Sequence, residues 1–455
     1  MHIGKYKVLG LLGRGGMGRV YKAELPAVGK IAALKLLHPN EHMVRLLGMP
    51  AVEELFLREA KTLSQIRHPH VASIMDFDRD QRDRPFFVME YHCMNLGQLL
   101  GEHYIMEAPT RTMTPDKAVW FSRQVLSGLD RLHHAKILHR DIKPYNILVT
   151  ESGTVKIIDF GLSLLRGEYR PVPDNFKIGT PYYAAPEQET DPDHIDERAD
   201  LYGVGAMMWR MLTGYLPPDI GKQPRPGDLN PVLGDSWDVF LQQATHRNPT
   251  ARFSDCRQMD ASLLEAHESW QVHLEKFCRM APPSPADANA SDIKSDLRSR
   301  PRKISLREAK TAFGLDDVWR PLNASPARFV ARSDGGFVQD AANGLIWQQS
   351  GSRYPATWQD AHVYIRSLNA AAFGGLQTWR LPTVEELMTQ IRAAGELGDY
   401  CAPGMFDGRQ ARIWSADRKS FTSAWYVDTE MGFVGDADFT CGCHVRAVTG
   451  QPCPD

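Results

Sequence analysis

Residues 139–161 read His139-Arg140-Asp141-Ile142-Lys143-Pro144-Tyr145-Asn146-Ile147-Leu148-Val149-Thr150-Glu151-Ser152-Gly153-Thr154-Val155-Lys156-Ile157-Ile158-Asp159-Phe160-Gly161. A polar loop leads into two short apolar runs, Ile147-Leu148-Val149 and Val155-Lys156-Ile157-Ile158, and the turn residues Glu151 to Thr154 between them predict a hairpin. The two ends of a hairpin lie side by side. Asn146 and Asp159 are therefore expected together as oxygen ligands for magnesium, with Asp141 one turn away as a proton acceptor. Such a set of groups suits phosphoryl transfer.

Towards the N-terminus, Ile31-Ala32-Ala33-Leu34-Lys35 reads as a strand carrying one lysine in an apolar run. Burying that ammonium unpaired would be costly. Glu59, in the helical stretch 52–60, supplies one anionic partner and nucleotide phosphates supply more. Further upstream, Gly13-Arg14-Gly15-Gly16-Met17-Gly18-Arg19-Val20 separates the strand-like runs Tyr6 to Leu9 and Val20 to Ala23. Its glycines let backbone amides approach phosphate oxygens with no side chain intervening. A strand after the loop excludes a dinucleotide fold, which needs a helix there, and predicts a lid.

Glycine-rich loop, strand lysine, helix glutamate, H-R-D-x-x-x-x-N, D-F-G and then Ala185-Pro186-Glu187 follow one another in the order of the protein kinases. Residues 1 to about 270 resemble a bacterial (Hanks-type) serine/threonine protein kinase. The resemblance implies an α+β, bilobal fold with a β-rich N-lobe (about 1–91) and a helical C-lobe (about 92–275). It implies ATP and Mg²⁺ (or Mn²⁺) as cofactors, protein substrates and autophosphorylation. Leu12, Gly13, Arg14, Gly15, Gly16, Met17, Gly18, Arg19 and Val20 would cover the nucleotide. Lys35 would hold its α/β-phosphates and pair with Glu59, and Met89 would be the gatekeeper. The backbones of Glu90 and His92 would meet the adenine edge, with Val20, Ala33 and Leu148 clamping its faces. Asp141 would accept the hydroxyl proton, Lys143 would stand near the transferred phosphate, and Asn146 and Asp159 would hold the metal. Lys143 and Thr180 point to serine or threonine as the acceptor. Asp200, Arg252 and Glu187 match structural charges of the large lobe, the last two as a pair.

Two departures from the family pattern stand out. Between Gly161 and Gly179 the only hydroxyl residues are Ser163 and Tyr169, so the central threonines that many relatives phosphorylate are missing although Arg140, their usual partner, is present. Fixed charge from Glu168 or Asp174, or control by a second domain, is expected instead. Tyr145 stands where kinases that favour arginine before the acceptor often carry glutamate, which weakens any expectation of strongly basic substrates.

The whole chain has 455 residues, 43% hydrophobic and 24% charged, with a formal charge of −2. Wholesale disorder is excluded, and so is a general attraction to nucleic acid or an anionic membrane. With no long apolar run and no apolar leader, a cytoplasmic protein is expected. Seven scattered cysteines are expected as reduced thiols, and Cys441-Gly442-Cys443-His444 lacks the second spaced pair of a zinc site.

The kinase-like region is assigned to 1–275, followed by a linker over 276–325. Within that linker, residues 298–310 hold six basic residues against the single acid Glu308, which reads as a solvated tether, with a binding or autophosphorylation segment around Ser299 and Ser305 as the alternative. Residues 326–450 form a second domain in which Trp347, Trp358, Trp379, Trp414 and Trp425 mark a small packed core. A hairpin turning at Asn343-Gly344, a helix opened by Thr357 and a capping box at Thr383 and Glu386 are predicted there. The order D-x-x-N-G-L-x-W, W-R-L-P-T-x-x-E-L, W-S and V-R-x-V resembles the DUF1566 family. That implies a C-type-lectin-like fold and recognition of an unknown ligand or partner more than catalysis.

Overall fold

The computed structural model describes residues 1–102, 108–159, 164–165, 182–218, 224–280, 297–323, 327–331, 336–391 and 405–450. The chain divides into two units, Met1–Leu274 and Glu275–Asp455. Among the described residues no helix is long and apolar enough to cross a membrane.

The first unit opens with six antiparallel strands: β1 (His2–Ile3), β2 (Tyr6–Arg14), β3 (Gly18–Glu24), β4 (Ile31–Leu37), β5 (Ile74–Arg79) and β6 (Pro85–Glu90), arranged β1-β2-β3-β4-β6-β5. β4 is central and its residues from Ala32 onward are buried, which explains its nearly continuous apolar sequence. The pairing places Val20 opposite Lys35 and Ala33 opposite Met89. Gly18 is required by close approach, since a Cβ there would lie 2.4 Å from the Leu36 carbonyl oxygen. The helix Met49–Gln65 lays Val52, Phe56, Glu59, Ala60 and Leu63 on its buried face, three- and four-residue steps that carry Glu59 into the interior with the apolar residues.

The remainder of the unit is mainly helical. The helix Pro115–His134 starts at Thr114, whose side chain accepts from Lys117 N, and buries Ala118, Phe121, Val125, Leu129 and Leu132. The helix Arg198–Thr213 is buried along nearly its whole length. The hairpin predicted at 147–158 is present: Ile147–Val149 pairs antiparallel with Val155–Ile157.

The second unit holds a four-stranded sheet, ordered Phe329–Ala331, Phe337–Asp340, Leu345–Gln348, Val448–Thr449, and a three-stranded meander of Arg412–Arg418, Ser423–Asp428 and Phe433–Asp438. Thr357 caps the helix Trp358–Ala370, and Thr383 and Glu386 form the capping box of Val384–Met388. Trp347 and Trp425 share the core with Val338, Ile413 and Val448. Trp358, Trp379, Trp414 and Trp425 each donate their indole N–H to a backbone carbonyl. This is the satisfied, packed role expected of buried tryptophan.

The linker reading fails from residue 297 onward. Arg298 is half-buried against Glu385 and Asp417, with contacts of 3.0 Å to Glu385 Oε1 and 2.7 and 2.8 Å to Asp417. Asp417, fully buried, also accepts from the backbone of Arg302 and Val384. Lys303 bridges in parallel to Arg418 at the edge of the meander, and a capped helix follows at Leu306–Phe313. Ile304, Ala309, Phe313 and Leu315 lie in the core of the second unit. A count of nearby charges misled because the partners of Arg298 lie 87 and 119 residues downstream.

Regular pairing at the end of the chain begins at Val448. One other expectation needs amendment. Cys256 is a free, buried thiol, but Cys93 and Cys441 are disulfide-bonded, so the expectation of reduced thiols does not hold at those two positions. Cys401 and Cys453 lie outside the described residues.

Candidate active site

Three charges, the buried Lys35 and Glu59 and the more exposed Asp159, meet where the sheet faces the helical part. Lys35 Nζ, on β4, donates to Glu59 Oε1 at 2.7 Å and Oε2 at 2.9 Å, and to Asp159 Oδ1 at 3.0 Å. Burial works against the ammonium, but the carboxylates of Asp159 and Glu59 outweigh it and hold the Lys35 pKa above the ordinary lysine range. The same pairing with Lys35 pulls Asp159 down to about 2. Asp159 takes a positive φ of 67°, a backbone conformation that L residues hold only under tertiary constraint.

The loop 139–146 sits at the start of the hairpin. Ile158 N donates to Asn146 O at 3.0 Å, and Ile147 is registered opposite Ile157, so Asn146 and Asp159 flank the same hairpin end. Asn146 Nδ2 donates to Asp141 O at 2.8 Å and to Asp141 Oδ2 at 2.9 Å. Lys143 Nζ reaches Asp141 Oδ2 at 2.7 Å. With its nitrogen directed at Asp141, the Asn146 amide leaves its oxygen for a cation, and together with the Asp159 carboxylate it offers the hard oxygen ligands that Mg²⁺ requires. The residues present fit that ion.

Beneath the loop lies Asp200, which accepts from His139 N at 2.9 Å, Arg140 N at 2.7 Å and His133 Nε2 at 2.8 Å. Burial alone would raise its pKa, and these donors bring it below the ordinary aspartate value. Arg140 has φ 69°, and Gln188 Nε2 braces its carbonyl at 2.9 Å. Arg252 makes a two-point contact with Glu187, at 2.6 and 2.8 Å. This is the expected pair, with the Arg252 side chain fully buried.

With these groups gathered around one point, comparison with known proteins is decisive: residues 6–259, more than half of the chain, match the model of the protein kinase domain. The chain belongs to the protein kinase family. It is 36% identical over 341 residues to the serine/threonine-protein kinase pkn3 of Myxococcus xanthus, covering 71% of this chain and 56% of that one. It is 32% identical over 300 residues to the serine/threonine-protein kinase PksC of Streptomyces coelicolor, covering 62% of this chain and 51% of that one. The chain thus spans about half the length of the curated relatives it matches. The crystal structure of the Mycobacterium tuberculosis PknI kinase domain matches 58% of this chain and 97% of that one, with 24% identity and a TM-score of 0.44. Residues 336–449 match the Lcl C-terminal domain, in broad agreement with the DUF1566 resemblance. The family uses ATP and Mg²⁺.

Within the kinase domain the remaining predicted positions fall as follows. Leu12 to Arg14 end β2, Gly15 to Met17 form the turn, and Gly18 to Val20 begin β3. Gly15 N donates to Gly18 O at 2.8 Å and closes the turn. Ala33 and Met89 are buried cross-strand neighbours, while Leu148, half-buried, pairs with Asn95. The Glu90 carboxylate is tied to Lys156 at 3.0 Å and His92 at 3.3 Å. Burial would raise its pKa, and the Lys156 ammonium brings it below the ordinary glutamate value. Phe160, Gly161, Ser163, Glu168, Tyr169, Asp174, Gly179 and Thr180 lie outside the described residues.

His133, Gln188 and Lys156 escaped the sequence reading. Each holds a partner distant in sequence. The one available signal was the polar edge of the helix 115–134, where His133 follows the last core residue, Leu132.

Proposed function

We propose that this chain is a serine/threonine protein kinase that transfers the γ-phosphate of ATP to serine or threonine hydroxyls of protein substrates, itself among them. The observation that carries the reading is the joining of Lys35 to both Glu59 and Asp159 across the face of the sheet, beside an Asp141 held by Lys143 and Asn146. Such a constellation positions phosphates and an acceptor hydroxyl, and a buried Lys35–Glu59 pair has few structural uses that would offset its cost.

In this reading Lys35, aligned by Glu59, binds the α/β-phosphates, and residues 12–20 cover them. Val20, Ala33 and Leu148 enclose the adenine, Met89 limits its depth, and the backbones of Glu90 and His92 meet its edge. Asn146 and Asp159 hold Mg²⁺, which when bound neutralises charge on the phosphates. Asp141 orients the acceptor hydroxyl and takes its proton, and Lys143 balances charge beside it. The second unit serves recognition or regulation, and the protein acts in the cytoplasm.

The test is transfer from labelled ATP by the full chain and by its Asp141→Asn variant, with acceptor sites read by mass spectrometry. Phosphoserine or phosphothreonine that vanishes in the variant upholds the reading. ATP binding without transfer in the unaltered chain would replace it with that of a binding scaffold.

A further inference from the structure

Two helices bring a thiol and an imidazole together beneath the catalytic loop. Cys256, first residue of the helix Cys256–Met280, places Sγ 3.5 Å from Nδ1 of His133, near the end of the helix Pro115–His134. On the other side of the ring, His133 Nε2 lies 2.8 Å from Asp200 Oδ2. Asp200 in turn accepts the backbone N–H groups of His139 and Arg140, which directly precede Asp141. A continuous path of hydrogen bonds therefore runs from Cys256 Sγ to the backbone of the catalytic loop. Cys256 and Asp200 are buried, and the His133 side chain is 11% exposed.

We propose that the Cys256–His133 pair positions the catalytic loop, the thiol holding the imidazole with its proton on Nε2 so that the ring donates to Asp200.

The chemistry of each group leaves little choice. An ionised Asp200 only accepts, so Nε2 must carry the proton facing it. With the ring neutral, as the proposal requires, Nδ1 presents a lone pair, which needs a donor in a buried site. Burial pushes the Cys256 thiol well above its ordinary pKa, so it keeps its proton, donates, and is no nucleophile. Remove that donor and the lone pair is left unmade, or the ring moves its proton to Nδ1 and turns a lone pair towards the carboxylate. Either change loosens Asp200. Arg140 holds a positive φ through the N–H bond to Asp200, so loosening reaches the residue before Asp141. The effect falls on the transfer step rather than on nucleotide binding.

For its rate readout this inference rests on the kinase reading, and the ring itself supplies a readout that does not. The experiment follows the His133 ring nitrogens by ¹⁵N nuclear magnetic resonance in the full chain, alongside kcat and KM for Mg²⁺-ATP with dephosphorylated casein as acceptor. The variants are Cys256→Ser, which keeps a donor, Cys256→Ala, which removes it, and Cys256→Val, which fills the space without one. The unaltered chain should show Nε2 protonated and Nδ1 accepting. Cys256→Ser should preserve that state and the rate. Both Cys256→Ala and Cys256→Val should mix the tautomers and lower kcat by about three- to tenfold, the loss of roughly one hydrogen bond, with KM for ATP unchanged. A proton on Nδ1 in the unaltered chain would overturn the proposal, as would equal losses in the serine and alanine variants or an unaltered tautomer in Cys256→Ala. Silence of every form in the transfer assay would sink the kinase reading, and the tautomer shift would still decide the coupling.

Discussion

Lys35 Nζ is shared between both oxygens of Glu59, at 2.7 and 2.9 Å, although 24 residues and the crossing from a strand to a helix separate the two. The pair is almost wholly inside the protein, with side-chain exposures of 10% and 1%. Removing one charge leaves the other stranded. Glu59→Gln should weaken the hold on Lys35 by ~1.5–3 kcal/mol, seen as a fall of about ten- to hundredfold in kcat/KM for ATP. Steady-state kinetics at varied ATP checks this, and an unchanged kcat/KM would contradict the alignment of Lys35 by Glu59.

The Asp141 carboxylate accepts from Lys143 and Asn146, as a proton acceptor requires. Asp141→Asn keeps the shape and removes the base, so transfer should drop by about 10²- to 10⁴-fold while ATP binding, followed by calorimetry, stays within a few-fold. Loss of binding together with transfer would mean that the residue is structural.

Acid should undo the first unit in a definite window. Asp159 is lowered to about 2 by Lys35, and Asp200 is lowered from its ordinary value by its donors despite burial. A carboxylate with a depressed folded-state pKa contributes stability above its unfolded value, near 4, and loses it as pH falls towards the folded value. Denaturant midpoints of the kinase unit should therefore be level from pH 7 to about 5 and decline steeply between about 4 and 2. Asp200→Asn should flatten that decline, and a slope identical to the unaltered chain would refute the assignment.

Arg298 anchors residues before the DUF1566-like region to Glu385 and Asp417. Breaking a buried ion pair from one side costs about 3–5 kcal/mol, so Arg298→Ala should lower the melting temperature of the second unit and leave the kinase transition in place. A fragment starting at residue 326 lacks Ile304, Ala309, Phe313 and Leu315 from its core and should fail to show a cooperative thermal transition. One starting at 297 should melt cooperatively.

Much of this protein was readable from residue order alone, because the signals are local. Glycines at 13–18, the alternation to a buried lysine at 35, and the polar loop and hairpin of 139–159 each depend on neighbours within about twenty residues, a range over which backbone periodicity and turn chemistry decide structure. Thr357 and Thr383 likewise announced their helices through capping, which involves only the next turn. The residues expected at the nucleotide and metal were legible as types in an order.

What the chain order left open involves partners far apart, where specificity comes from packing and from pairing charges out of water. The basic run at 298–310 looked solvated until Asp417 and Glu385 were brought to it, since a local count of charge carries no information about residues 87 or 119 positions away. The same holds for His133, whose ring means nothing in the sequence Leu132-His133-His134 and acquires a role only between Cys256 and Asp200. Sequence order determined which chemical groups exist and which local elements carry them. The tertiary fold decided which groups share a low-dielectric space, and there the cost of an unpaired charge or lone pair selects the partner.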